Sequence, residues 1–125
     1  MIKQKVFIPA SPNEVYDALM DQKKHFEFTG AKARIENKKG GKFSVWDGYA
    51  TGENLILEPD KQIVQSWRAS DWPVGKISKV TYHLSPKNNG CEIEFEHIDV
   101  PRDFEEDIKN GWEEYYWEPL KAYFS

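Results

Sequence analysis

The segment DFEEDIKNGWEEYYWEPLKAYF, residues 103–124, decides the fold class of this chain. Its apolar and aromatic side chains recur at helical spacing and form one wide stripe, made of Phe104, Ile108, Trp112, Tyr115, Tyr116, Leu120, Tyr123 and Phe124. Acidic residues at the start of the segment favour the positive end of a helix. Pro119 cannot donate a hydrogen bond to residue 115, so we expect the helix to bend there. A stripe this rich in large rings must pack against a broad surface, which a curved sheet would supply.

The rest of the chain has the pattern of such a sheet. Residues 2–8 alternate between apolar and polar positions, which indicates a strand. A capping box at residues 11–14 predicts a helix to about residue 20, and a second short helix is expected over about 21–27. From residue 32 onward the pattern indicates only strands and turns, with strands at 33–37, 42–46, 49–57, 62–68, 77–84 and 91–98.

This order of elements predicts an α+β helix-grip fold. A curved antiparallel sheet of six to seven strands would wrap around the long C-terminal helix, with two short helices after the first strand. The chain has 125 residues, which suits a single domain over residues 1–125. Large aromatic residues are expected to hold the helix away from the sheet, which leaves room for a ligand cavity on the order of hundreds of Å³.

Charge is distributed unevenly along the chain, although the net charge is only −4. Residues 92–118 are strongly acidic, whereas residues 23–42 are basic. This split suits a partner of mixed charge, although it is also typical of a surface that keeps a protein in solution. The partner-contact candidates are the cations of the basic segment and one loop tryptophan: Lys23, Lys24, Lys32, Arg34, Lys38, Lys39, Lys42 and Trp72. We expect Trp72 to be either a plug on its own domain or an exposed anchor for a partner.

Composition also excludes several classes of protein. The net negative charge argues against nucleic-acid binding, which depends mainly on the neutralisation of phosphates. No run approaches the roughly 18 apolar residues of a membrane span, and the N-terminus lacks the pattern of a signal peptide. Cys91 is the only cysteine, so an internal disulfide is excluded. A reducing cytoplasm is the default location for such a chain, and we expect a monomer there.

Catalytic and metal-binding patterns are weak. His83 and His97 are predicted on opposite faces of the sheet and His25 stands alone, so no metal site is expected. Cys91 and His97 lie on one strand at a separation of about 20 Å, which is too far for a nucleophile and its base. We therefore predict no catalytic residue, no metal and no cofactor.

A ligand pocket is better supported by the residue pattern. Five rings and two polar side chains are predicted to converge between sheet and helix: Gln65, Trp67, Tyr82, Phe95, His97, Trp112 and Tyr116. Apolar walls with few polar groups suit a small hydrophobic ligand, yet the same residues would equally serve as the core of a small domain. His97 is either a polar group or proton carrier of that pocket or a core histidine, and the core role is favoured.

Five segments resemble those of a known family: FTGA (residues 28–31), GGKF with a following DG (40–43 and 47–48), IVQSWR (63–68), DWPVG (71–75) and GWEEYYWEPLK (111–121). The last segment is the most specific of the five. Over most of its length the chain is similar to the C-terminal domain of the activators of heat-shock protein 90 ATPase. That domain belongs to the START-like helix-grip superfamily, whose fold is like that of the birch pollen allergen.

The resemblance implies a non-catalytic, co-chaperone-like domain whose partner is a heat-shock protein 90-type chaperone. The eukaryotic co-chaperones have two domains, and this chain is similar to the smaller one, so we expect a stand-alone version of it. Two alternatives remain open. The domain is a carrier or sensor of a small hydrophobic ligand held beneath the C-terminal helix, or a cyclase- or hydrolase-like enzyme that uses the same cavity.

Overall fold

Seven strands and a C-terminal helix dominate the computed structural model, which describes residues 1–125. The elements are, in chain order, β1 (Ile2–Ile8), α1 (Pro12–Met20), α2 (Gln22–Thr29), β2 (Arg34–Ile35), β3 (Lys42–Val45), β4 (Ala50–Glu58), β5 (Gln62–Ala69), β6 (Ser78–Lys87) and β7 (Gly90–Ile98). The C-terminal helix follows as a 3₁₀ turn (Arg102–Phe104), α3 (Glu105–Trp112), a π turn (Glu113–Trp117) and α4 (Glu118–Tyr123). The predicted order of elements is therefore confirmed.

The strands form one antiparallel sheet in the order β1-β7-β6-β5-β4-β3-β2. Strands β2 to β7 follow one another as a meander, and β1 pairs with β7 at the far edge. Inward-facing rings of β6 and β7 pack on the C-terminal helix, where the Trp112 ring centroid lies 4.5 Å from that of Phe95 and 6.1 Å from that of Tyr82. The predicted helix-grip fold is confirmed, with seven strands in the sheet.

Capping residues define the two short helices. Ser11 Oγ accepts a hydrogen bond from the Glu14 backbone N–H (3.2 Å), and the Glu14 carboxylate accepts one from the Ser11 N–H (3.1 Å), so the predicted capping box is present. At α2 the Asp21 carboxylate accepts a hydrogen bond from the Lys24 backbone N–H (2.9 Å), and Gly30 ends that helix in the left-handed conformation. None of the helices in the chain combines the length and the apolar character needed to cross a bilayer.

Strand β6 continues through a proline that the sequence pattern placed in a turn. Leu84 donates its backbone N–H to the Lys61 carbonyl on the β5 side, and because strand residues alternate, Pro86 also faces that side. The last residue of β5 that pairs with β6 is Gln62, opposite His83. No strand lies beside Pro86 on that side, although β7 pairs with it on the other through Cys91, so its missing N–H costs no ladder hydrogen bond.

The π turn changes which residues of the C-terminal helix face the sheet, so the predicted apolar face is partly wrong. Pro119 supplies no N–H, and immediately before it the Glu118 N–H bonds the carbonyl of Glu113, five residues back. Five-residue spacing brings Trp117 round to the face of Trp112, and the two rings stack at 5.7 Å and 22°. Trp117 is therefore buried, whereas Tyr115, which belongs to the predicted stripe, is half exposed.

Candidate functional site

The seven residues predicted to line a pocket are all buried between the sheet and the C-terminal helix. The space enclosed there has a volume of about 20 Å³, which is room for one water molecule. Its wall includes Gln65, Trp67, Tyr82 and Tyr116. The prediction of a ligand-sized cavity in the interior is therefore wrong, because the rings fill the gap that they were expected to hold open.

A larger space opens to solvent between the C-terminal helix and the turn that joins β3 to β4. Its volume is about 310 Å³, and we call it the aromatic cleft. Its lining residues are Trp46, Tyr49, Trp67, Asp107, Ile108, Gly111, Trp112, Tyr115 and Tyr116. Three of the predicted pocket residues are thus brought together as its inner wall, namely Trp67, Trp112 and Tyr116. The sequence pattern missed its mouth, which is formed by Trp46, Tyr49 and Tyr115.

His97 and Phe95 line neither space, so their predicted contact with a ligand is wrong. His97 Nδ1 accepts a hydrogen bond from Trp112 Nε1–H at 3.0 Å, and its Nε2 lies 2.7 Å from Ser78 Oγ. An indole N–H only donates, so the proton of His97 is on Nε2 and points to Ser78, whose hydroxyl donates to the Trp67 carbonyl (2.6 Å). The histidine is a structural bridge between helix and sheet.

The charge state of His97 agrees with that bridging role. Burial, and secondarily the positive N-terminal amine, lowers the pKa of His97 to about 3. Protonation of Nδ1 would also break the hydrogen bond that this nitrogen accepts from the Trp112 N–H. His97 is therefore neutral at physiological pH and has no free nitrogen with which to carry a proton to a substrate.

His25 is a second buried histidine, which the sequence left isolated in a basic stretch. Its Nε2 lies 3.0 Å from the Tyr116 hydroxyl, and its ring contacts Phe28 and Tyr116 edge to face. Burial lowers the pKa of His25 to about 4 and raises that of Tyr116. The burial of His25 has one signal in the sequence: His25 and Phe28 are three residues apart, which places both on one face of the helix.

Cys91 is expected to resist alkylation in the folded protein. The side chain is buried in β7, and burial raises the pKa of its thiol to about 11, which leaves little thiolate at pH 8. We expect iodoacetamide to label native Cys91 about 100-fold more slowly than the same thiol in denaturant. Labelling of the native protein at the rate of the unfolded chain would contradict this placement.

Three cations of the basic segment surround one shallow depression of about 730 Å³. Lys23 comes from α2, Lys32 from the loop after it and Arg34 from β2, and the half-exposed ring of Phe26 lies beside them. None of these three cations forms an ion pair within the chain. We call this surface the basic depression.

The other lysines of the segment lie outside the basic depression. Lys24 forms an ion pair with Asp17 at 3.8 Å between Nζ and Oδ2. Lys38 and Lys39 are exposed between β2 and β3, and Lys42 is exposed at the start of β3. The structure thus gathers three of the seven predicted cations into one surface and disperses the other four.

Trp72 is a plug on its own domain, and the alternative of an exposed anchor is wrong. Its side chain is only 3% exposed, with its ring centroid 5.4 Å from that of Trp67. Arg68 holds the loop in place, because its guanidinium donates to the backbone carbonyls of Trp72, Pro73 and Lys76 at 2.7 to 2.9 Å. Trp72 is therefore removed from the partner-contact candidates.

Metal binding has no support in the side-chain geometry. No group of three or more His, Cys, Asp and Glu side chains is arranged to hold an ion. His97 is buried inside the sheet, whereas His83 is exposed on the opposite face.

Comparison with known proteins gives a consistent family. The family model described as Activator of Hsp90 ATPase homolog 1-like protein matches residues 9–125. The human activator of 90 kDa heat shock protein ATPase homolog 1 is 38% identical over 114 residues, which cover 91% of this chain and 34% of the relative. A Saccharomyces cerevisiae protein named as an Hsp90 co-chaperone is 25% identical over 125 residues, covering 94% of this chain and 35% of the relative. This chain spans about a third of the length of these curated relatives.

A solved structure gives the same fold. The crystal structure of an HSP90 activator from Plasmodium falciparum matches with a TM-score of 0.90 at 24% identity, covering 98% of this chain and 94% of that chain. These relatives are named as activators and co-chaperones rather than as catalysts. The chain belongs to the Activator of Hsp90 ATPase homolog 1-like protein family.

Proposed function

We propose that this chain is a non-catalytic, co-chaperone-like binding domain whose partner is a heat-shock protein 90-type chaperone. In this proposal residues 1–125 act as one domain, as a monomer and in the cytoplasm. The observation that carries it is membership of a family whose curated relatives are named as activators of that chaperone. Because the chain spans about a third of the length of those relatives, the proposal is binding of the chaperone and does not extend to stimulation of its ATPase.

The basic depression is the proposed contact surface. Lys23, Lys32 and Arg34 are unpaired cations, and Phe26 adds an exposed apolar ring that is 50% accessible. An apolar anchor with charged groups around it is the usual composition of an energetically important contact patch. The complementary surface on the chaperone would be acidic, with an apolar side chain that covers Phe26.

The two alternative functions have less support. A carrier needs a ligand-sized space that encloses its ligand; the enclosed space beneath the helix is about 20 Å³, and the aromatic cleft of about 310 Å³ is open to solvent. An enzyme needs an accessible acid, base or nucleophile. His97 is hydrogen-bonded through both nitrogens, and Cys91 is buried with a raised pKa.

Reversing the charge of the basic depression is expected to weaken chaperone binding at least tenfold. The variant carries Lys23→Glu, Lys32→Glu and Arg34→Glu, and a tenfold loss corresponds to about 1.4 kcal/mol. Binding is measured by NMR titration of the ¹⁵N-labelled protein with the chaperone at about 150 mM salt, where screening limits charge effects to about 8 Å. Saturable shifts in the wild type should cluster on α2, β2 and the loop between them.

A matched control distinguishes the effect of the basic depression from the effect of net charge alone. Lys38→Glu, Lys39→Glu and Lys42→Glu change the total charge by the same amount, but these side chains lie outside the basic depression. We expect this control to bind within about threefold of wild type. An equal loss in both variants would contradict the proposed surface, and absence of shifts at about 300 µM chaperone would contradict the proposed function.

A further inference from the structure

The mouth of the aromatic cleft is built from a residue in an unfavourable backbone conformation. Trp46 and Asp47 both have φ of +55° in the β3–β4 turn, a region that bulky L-residues rarely adopt. The turn places the Trp46 ring 5.3 Å from Tyr115 and 6.2 Å from Tyr116, between ring centroids. The strained turn thus fixes the Trp46 ring at the opening of the cleft, in edge-to-face contact with the C-terminal helix.

Gly111 keeps the cleft open although the fold does not require a glycine there. It lies inside α3, where alanine is the better helix former. A Cβ at this position would meet only the Tyr115 ring, at an ordinary contact distance of 3.8 Å. Because Gly111 lines the cleft, a side chain larger than alanine at this position would extend into its free volume.

Carboxylates make the mouth of the cleft electronegative. Asp107 is one of its lining residues, and Asp71 lies near Tyr49, because Ser70 N–H bonds the Tyr49 carbonyl at 2.7 Å. The pKa of the Tyr49 hydroxyl is raised, first by burial and then by the charges of Asp71 and Asp107. Neither aspartate forms an ion pair within the chain.

Aromatic faces beside free carboxylates recognise a flat organic cation. Arginine fits this description better than lysine, because its guanidinium is planar, weakly hydrated and able to stack on rings while it donates to a carboxylate. A cleft of about 310 Å³ is at the lower limit of small-molecule sites, and it is large enough for one side chain.

We propose that the aromatic cleft binds an arginine side chain of the partner protein, with the guanidinium against the rings at its mouth and hydrogen-bonded to the Asp107 carboxylate. The assignment to a protein partner rests on the proposed function and on continuity with the basic depression. Asp47 and Gly48 line that depression, whereas Trp46 and Tyr49, from the same turn, line the cleft. A partner segment that crosses this turn would meet cations on one side and carboxylates on the other.

The test uses N-acetyl-arginine amide as the probe and N-acetyl-citrulline amide as its neutral isostere. Binding is followed through the indole N–H resonance of Trp46, assigned with Trp46→Phe. We expect saturable shifts for arginine with a dissociation constant on the order of millimolar, and affinity at least fivefold weaker for citrulline. Equal affinity for the two probes, or shifts that map away from the cleft, would overturn the proposal.

Three variants locate the binding group. Asp107→Asn is expected to weaken arginine binding at least threefold, whereas Glu114→Gln, which removes an exposed acid outside the cleft on the same helix, should leave it unchanged. Gly111→Leu should fill the cleft and abolish binding while the thermal midpoint stays at or above that of wild type. Arginine binding that survives Gly111→Leu would overturn the assignment of the cleft.

This test is independent of the proposed function. The probe needs no chaperone, so arginine binding in a protein that fails to bind the chaperone would refute the proposed function and leave the cation-binding cleft intact. Chaperone binding that Gly111→Leu and Asp107→Asn leave unchanged would overturn the role of the cleft in that complex.

Discussion

Acidification from pH 6.5 to pH 4.5 is expected to lower the free energy of unfolding by about 4 kcal/mol through two buried histidines alone. Burial lowers the pKa of His25 to about 4 and that of His97 to about 3 in the folded protein. In the unfolded chain both titrate near their usual value of about 6.5. At pH values between the folded-state and unfolded-state pKa, the unfolded chain binds more protons than the folded protein. The contribution of the two histidines to stability is therefore fully present above pH 6.5 and is lost as the pH falls toward the folded-state pKa values.

Denaturant unfolding at pH 7, 6, 5 and 4.5 measures this loss, and histidine variants assign it. His25→Gln and His97→Gln should each reduce the slope of stability against pH by up to about 1.4 kcal/mol per pH unit, whatever their effect at pH 7. Glutamine at position 97 keeps an acceptor for Trp112 and a donor for Ser78. His83 is exposed on the outer face of the sheet, so His83→Gln serves as the matched control substitution. Wild-type slopes in both buried-site variants would contradict the prediction.

The fold could be predicted because its sequence signals are local and agree with one another. The alternation in β6 and β7, the capping box at Ser11 and the aromatic stripe of the C-terminal helix each follow from backbone geometry. The face of the helix around Trp117 could not be predicted in this way. Its burial depends on a π turn, whereas the predicted stripe has the spacing of a regular α-helix, which does not include Trp117.

The candidate site was predictable in composition but not in arrangement. No sequence pattern shows that Lys23, Lys32 and Arg34 meet around one depression, because only the tertiary fold brings α2 and β2 together. The loop pattern around Trp72 was equally compatible with exposure and with burial. The hydrogen bonds from Arg68 to the loop carbonyls hold Trp72 in its buried position. Hydrogen bonds of this kind, between a strand and a loop, leave no periodic pattern in the sequence.

Packing density explains the wrong prediction of an interior cavity. The same set of rings either surrounds an open space or fills it, and the difference lies in distances of a few ångströms between side chains. Here Tyr116 and Trp67 separate the enclosed space of about 20 Å³ from the open cleft of about 310 Å³, since both residues line both spaces. Because the interior space is closed and the aromatic cleft is open, the candidate site lies at the surface rather than in the core.

Replacing Trp112 with alanine is expected to destabilise the domain by about 5 kcal/mol, enough to unfold much of it at 25 °C. Loss of a buried tryptophan costs about 3–5 kcal/mol, and the unpaired Nδ1 of His97 adds about 1–3 kcal/mol. The Trp112 ring stands at the centre of the aromatic core, 4.5 Å from Phe95 and 4.6 Å from Tyr116 between centroids. Typical domains have only about 5–15 kcal/mol of stability in total. Equilibrium unfolding in denaturant, followed by far-UV circular dichroism, measures the effect.

Two further variants separate packing from hydrogen bonding at this position. Trp112→Phe keeps an aromatic ring in the core but removes the N–H that His97 accepts, so we expect a smaller loss of about 1–3 kcal/mol. Glu114→Ala, on the exposed side of the same helix, should stay within about 0.5 kcal/mol of wild type. If Trp112→Ala cost less than about 1 kcal/mol, the ring would not be the centre of this core. If Trp112→Phe cost as much as Trp112→Ala, the bond to His97, rather than the volume of the indole, would hold the helix to the sheet.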